Sequence, residues 1–202
     1  KQKYFLYAYL ILVATSLTTA FLISPRVFYF FLVYQFFMWF YSHKLSKILI
    51  INNITFVSLT LYPFFGMMVY YHTFSGKVFL MAVFLFLMLL VMDILKDILT
   101  KNADKIFGYT TIPNTFGTRN AVNVVVALSV LLFTVSMLII SNTGIHSILP
   151  LYFAAGLFVI ILSVYLLLSS VKKSNFIVLN IFRIWVFVGI IAMLLDGIIE
   201  RF

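Results

Sequence analysis

Residues 83–117 read VFLFLMLLVMDILKDILTKNADKIFGYTTIPNTFG. The first ten positions are all apolar, Asp93 then interrupts, and the apolar pattern resumes with Ile94 and Leu95. A carboxylate beside hydrocarbon costs roughly 2.5–3.5 kcal/mol at a helix centre. On a helix, Asp93 and Asp97 stand one turn apart on the same face. If the helix continues, Asp104 returns to nearly the same direction after about three turns. Three of the chain's five acidic residues therefore gather at one end of an apolar run. That pattern predicts a membrane-spanning helix carrying a cation site at the membrane face.

The rest of the composition agrees. The chain has 202 residues, of which 64% are hydrophobic and 9% charged, with a mean hydropathy of +1.17. A soluble domain needs a far more charged surface, so the class is all-α polytopic membrane protein. This length holds about seven spans and leaves no room for a soluble domain, so residues 1–202 are read as a single transmembrane domain. Cysteine is absent, which excludes disulfides and thiolate metal ligation. His43, His72 and His146 lie far apart in sequence and show no ligand spacing. The net charge of +9 is spread along the chain rather than gathered in a basic arm, so no nucleic-acid partner is expected.

Seven apolar segments can be drawn, at 4–23, 27–41, 53–72, 77–99, 120–141, 147–169 and 178–199. The second is short for a span, which usually needs about 17–25 residues. Two connections are longer and polar, at 42–52 and 100–119. Lys1, Lys3, Lys44, Lys47, Lys96, Lys101, Lys105, Arg119, Lys172, Lys173 and Arg183 fall on one side of this topology, and Arg26, Lys77 and Arg201 on the other. Eleven against three makes the first side cytoplasmic by the positive-inside rule. The acidic cluster is then cytoplasmic and the C-terminus outside. Pro63 and Gly66 lie within the third segment, where they either kink the helix and widen a cavity or are ordinary membrane-helix residues. Asp196 and Glu200, near the outer end of the last span, read as interfacial or as partners of Arg201. The chain opens directly on a span with no signal peptide ahead of it, which suggests that it begins partway through a longer protein.

Asp93, Asp97 and Asp104 are hard oxygen ligands suited to Mg²⁺, which takes one or two carboxylates together with phosphate oxygens and water. Lys96, Lys101, Lys105 and Arg119 are interleaved with them. Acid and base mixed in this way fit a metal-bridged diphosphate, with carboxylates on the metal and cations on the phosphate oxygens. The bland alternative is a solvated loop whose charges pair locally. It suits one Asp–Lys pair but gives no reason for Asp93 inside the apolar run.

At this point the residues resemble a family. Asp93-Ile-Leu-Lys96-Asp97, followed by Asp104, Gly108, Thr111, Pro113 and Gly117, is similar to the second aspartate-rich motif of the UbiA superfamily of intramembrane prenyltransferases. The likeness is to the branch that holds digeranylgeranylglyceryl phosphate synthases and the chlorophyll and homogentisate enzymes. Upstream, Tyr41-Ser42, Lys47 and Asn53 in YSHKLSKILIINNIT resemble that family's Y-[SN]-x-x-L-K-[RK]-x-x-x-x-G-N segment. The resemblance implies a nine-helix bundle, of which the seven spans here match the third to ninth helices. The first two helices and the first aspartate-rich motif would then precede this sequence. Thr100 stands where the family has a third aspartate, Ala103 and Asn52 replace motif glycines, and Ser46 replaces a lysine.

The resemblance further implies Mg²⁺-dependent transfer of a prenyl group from a polyprenyl diphosphate to a lipid glycerophosphate or an aromatic ring. Asp93, Asp97 and Asp104 would be the catalytic metal ligands. Lys96, Lys101, Lys105 and Arg119 would contact the diphosphate. Tyr41, Ser42, Lys47 and Asn53 would shape the opposite loop near the acceptor or the diphosphate. The enzyme would work in a bacterial or archaeal-type cell membrane. Two other readings stay open: a non-catalytic homologue that keeps the fold, and a membrane transporter or divalent-cation carrier. The carrier predicts polar residues at the midplane of several helices, and these spans have few.

Overall fold

The computed structural model describes residues 2–143, 147–169, 171 and 173–199. Lys1, His146, Lys172, Glu200 and Arg201 lie outside them. Among the described residues all regular structure is helical: α1 (Gln2–Ile23), α2 (Pro25–His43), a short 3₁₀ turn (Leu45–Lys47), α3 (Ile51–Tyr70), α4 (Gly76–Ile106), α5 (Ile112–Thr115), α6 (Thr118–Asn142), α7 (Leu149–Leu168) and α8 (Ser174–Ile199). The seven long helices coincide with the seven apolar segments. Six are long and apolar enough to cross a membrane, and α2 is the one that falls short. Its 19 residues carry Tyr29, Tyr34, Gln35, Trp39, Tyr41 and Ser42 among the aliphatic and phenylalanine side chains. The protein is an all-α polytopic membrane protein.

Punctuation residues set the helix ends. Ser24 caps α2, its hydroxyl accepting from the Arg26 amide at 3.1 Å with Pro25 in the first turn, a pairing that satisfies one orphan donor and pre-sets φ. Ser75 caps α4 in the same way through the Val78 amide at 3.2 Å. At its other end α4 departs from expectation. The segment 100–106, read as the start of a polar loop, continues the helix, because it holds neither glycine nor proline. The stop is Gly108, whose φ of 71° suits the left-handed position after a helix. The Tyr109 amide then donates to the Asp104 carbonyl at 2.9 Å, the closing bond of a Schellman-type end. At 31 residues, α4 is about 46 Å long.

This helix is the centre of the molecule. It packs against α3, α6, α8 and α5, while α7 bridges α6 and α8. Met88, Val91 and Leu95 of α4 are fully buried against Val125 and Leu132 of α6 and Phe153 of α7. In contrast, α1 packs along α2 and contacts no other helix among the described residues. Gly66 of the third span serves close packing between α2 and α3. Helix α3 runs unbroken through Pro63, and the place a Cβ on Gly66 would take is filled by the Phe30 ring of α2. Phe30 stacks on Tyr62 at 4.6 Å, and Tyr62 on Tyr34 at 5.3 Å.

At the opposite end of the bundle, Asp196 is 6% exposed; its expected partner Arg201 lies outside the described residues. One of its carboxylate oxygens accepts from the Ser147 hydroxyl and the Ile148 amide, both at 2.8 Å. It thus fastens the start of α7 to α8, where a carboxylate also meets the positive end of the helix dipole. Asp196→Ala should destabilise the protein by about 1–3 kcal/mol, read as a lower midpoint of thermal unfolding in detergent. An unchanged midpoint would show that the bond is solvated and idle.

Candidate active site

The last turns of α4 place Asp93 and Asp97 on its buried face, 5% and 3% exposed. Two carboxylates one turn apart repel, and burial sharpens the repulsion. Their arrangement depends on Asn53, which α3 presents across the α3–α4 interface. The Asn53 side-chain amide donates to Oδ2 of Asp93 and to Oδ2 of Asp97, both at 2.8 Å. Asn53 is itself 1% exposed, and its Oδ1 is buried without a hydrogen-bond partner. The other carboxylate oxygens face Lys96. Its Nζ is hydrogen-bonded to Oδ1 of Asp93 and lies 3.9 Å from Oδ1 of Asp97. The same ammonium sits over the Phe56 ring of α3, 4.9 Å from its centroid.

Two loops close over this cluster. Residues 44–50 turn the chain from α2 into α3, passing through Ile50 with φ of 66°. A β-branched residue there is under strain that its surroundings must hold. The turn sets Asn52 against α2, where it accepts from the Tyr41 hydroxyl at 2.7 Å. Residues 107–117 form the second loop, and the Thr110 hydroxyl donates to the Lys47 carbonyl, tying the two together.

Between them lies a cavity of about 240 Å³. Tyr41, Ser42, Ser46 and Asn52 line one side, Lys96, Asp97 and Asp104 the α4 side, and Tyr109 and Thr111 the remainder. Thr111 is 2% exposed with an unpartnered hydroxyl, so a polar group at the wall is left for whatever enters. Apart from Asp97, Asp104 and Lys96 the lining is neutral and rich in hydroxyls.

The residues singled out from sequence are therefore brought together in part. Asp93, Asp97, Lys96 and Asn53 form one cluster, with Tyr41 and Ser42 beside it. Asp104 faces the same cavity but stands apart from the pair, its Oδ2 accepting from the Thr100 hydroxyl at 2.8 Å. Thr100 thus positions Asp104 rather than replacing a missing carboxylate. Lys101 turns away to Thr118 at 3.3 Å. Lys105 and Arg119 are exposed and line no wall of this cavity. Lys47 contributes its carbonyl to the loop tie, with its side chain exposed. Sequence reasoning missed the roles of Phe56, Tyr109 and Thr111. Phe56 had one signal, its spacing of three from Asn53 on the same face of α3.

The donor set suits a hard divalent cation of one particular kind. Among the described residues, no three carboxylate or imidazole groups are close enough to enclose an ion. Asp93 and Asp97 do offer the two carboxylates that magnesium commonly takes when phosphate supplies other ligands.

No curated protein and no solved structure matches the chain. A family model described as the UbiA prenyltransferase family matches residues 1–190. With nearly the whole chain covered, and with the buried carboxylate pair where the sequence motif lies, this protein belongs to the UbiA prenyltransferase family.

Proposed function

We propose that the protein transfers a prenyl group from a prenyl diphosphate to a lipophilic or aromatic acceptor, with Mg²⁺ as cofactor and residues 1–202 acting as one transmembrane domain. The observation that carries this reading is the buried Asp93–Asp97 pair, bridged by Asn53 and capped by Lys96, with Asp97 and Lys96 lining the 240 Å³ cavity. Asp93 and Asp97 would hold the metal, whose chemistry is to neutralise charge on the departing diphosphate. Asp104 serves from further along the same α4 wall, held by Thr100. Lys96 is placed to contact phosphate oxygens directly. Lys101, Lys105 and Arg119 contribute a positive field around the cavity mouth rather than direct contacts.

The remaining steps fall to the cavity lining. Loss of diphosphate leaves an allylic cation, and the Tyr41 ring is an aromatic face able to stabilise it. The loops 44–50 and 107–117, tied by Thr110 and Lys47, limit the access of water, which would quench that cation. Ser42, Ser46 and Thr111 offer hydroxyls for the acceptor. The lysine and arginine bias supports a cytoplasmic position for both loops, with the C-terminus outside.

The test is transfer from radiolabelled geranylgeranyl diphosphate in membranes that contain the protein. Geranylgeranylglyceryl phosphate, homogentisate and 4-hydroxybenzoate are offered in parallel. Product should form with one of them, disappear with EDTA and return with added Mg²⁺. If no prenyl donor gives product with any acceptor while the protein is folded, a non-catalytic homologue becomes the better account.

A further inference from the structure

We propose that the Lys96 ammonium is a resident stand-in for the divalent cation, and that it must leave the carboxylates before the ion can bind them. The inference rests on the metal reading of this site. The Asp93 and Asp97 carboxylates have four oxygens, and the structure divides them by partner. Both Oδ2 atoms belong to Asn53, which is 1% exposed and fixed within α3. Both Oδ1 atoms face Lys96, whose side chain is 46% exposed and flexible.

A bridging cation therefore has one route to the pair, through the Oδ1 atoms that the ammonium now covers. Two cations cannot share that position, because their repulsion at about 4 Å in a partly buried site is worth several kcal/mol. The Asn53 amide has nowhere to go, so the mobile partner is Lys96. Its destination is close at hand: Lys96 also lines the cavity beside Asp97, where a diphosphate would accept the displaced ammonium.

Two functions follow from this exchange. Without ligand, Lys96 balances charge that would otherwise be buried and unpaired. On binding, it favours the metal–diphosphate complex over the bare ion, since the complex brings the ammonium a new anionic partner of its own. Phe56 sets the strength of the lock by holding the ammonium over its ring in the resting position.

The experiment measures Mn²⁺ affinity by electron paramagnetic resonance on the full chain in detergent, with and without inorganic diphosphate. Lys96→Met should bind free Mn²⁺ about tenfold more tightly than the wild type. The factor by which diphosphate strengthens Mn²⁺ binding should be smaller in Lys96→Met, because one side of the exchange is gone. Lys96→Arg, which keeps the charge, should stay near wild type. Phe56→Leu touches neither carboxylate and should tighten free Mn²⁺ binding about two- to fivefold. That variant decides the matter if Lys96→Met does not fold.

Unchanged or weaker free-Mn²⁺ affinity in both Lys96→Met and Phe56→Leu would overturn the stand-in role while leaving the metal reading intact. Wild-type protein that binds no Mn²⁺ even with diphosphate would remove both.

Discussion

Asp97→Asn is expected to lower prenyl transfer about a thousandfold while leaving the folded protein as stable as before. The two halves of this result come from the same geometry. Asp97 is 3% exposed, and its charge is held there against a desolvation cost that a neutral amide does not carry. Asparagine keeps the shape and an oxygen for the Asn53 amide, so packing between α3 and α4 survives. It cannot supply the negative charge that a divalent cation needs from this position. Activity and thermal unfolding, measured on the same preparation, should therefore separate. A variant that retains activity within tenfold of wild type would show that Asp97 is a buried counter-charge and not a ligand.

The second large effect is expected at Asn53, in the opposite sense. Asn53→Leu removes the one hydrogen-bond donor that, among the described residues, the two buried carboxylates share. It should destabilise the protein by about 3–5 kcal/mol, the range seen when one partner of a buried charged arrangement is deleted. The loss should be partly recovered in the double variant Asn53→Leu/Asp97→Asn, because one of the stranded charges has been removed. Such non-additivity is the signature of groups acting through one network. Unfolding in detergent on the four proteins of the cycle measures it. Strict additivity would mean that the contact contributes nothing to the fold.

These two residues also mark the boundary of what can be read along the chain. Asp93, Lys96 and Asp97 are legible because helical spacing alone puts them together, and because a carboxylate inside an apolar run calls for an explanation. The spans are legible by hydrophobicity, although the tyrosines, glutamine and tryptophan of α2 blur the second one. The pairing of Asn53 with the carboxylates is not legible, since it joins residues forty positions apart through a helix–helix contact. Resemblance could place Asn53 in a motif but not show what it touches.

The basic residues show a different limit. Lys105 shares a helix with the aspartates yet is rotated around α4 away from the carboxylate stripe, whereas Lys101, one turn beyond Asp97, is drawn aside by Thr118. Sequence gives their sign, and only the fold gives their direction. The extension of α4 to Ile106 lies between these cases: the segment lacks any breaker, but its polarity suggested a loop.

That extension has a consequence for how the carboxylates sit in a bilayer. Asp93 and Asp104 lie on one unbroken helix, about 16 Å apart along its axis. A hydrocarbon core is about 30 Å thick and α4 is longer, so a bilayer that covers its apolar run would leave Asp104 nearer the headgroups and Asp93 nearer the acyl chains. The carboxylates are thus graduations on a rigid rod. Hydrophobic mismatch, answered by tilting or by local thinning of lipid, moves all of them together and cannot change their spacing. Membrane thickness then acts as a setting on the immersion depth of the whole cluster, with the arrangement of its charges left unaltered.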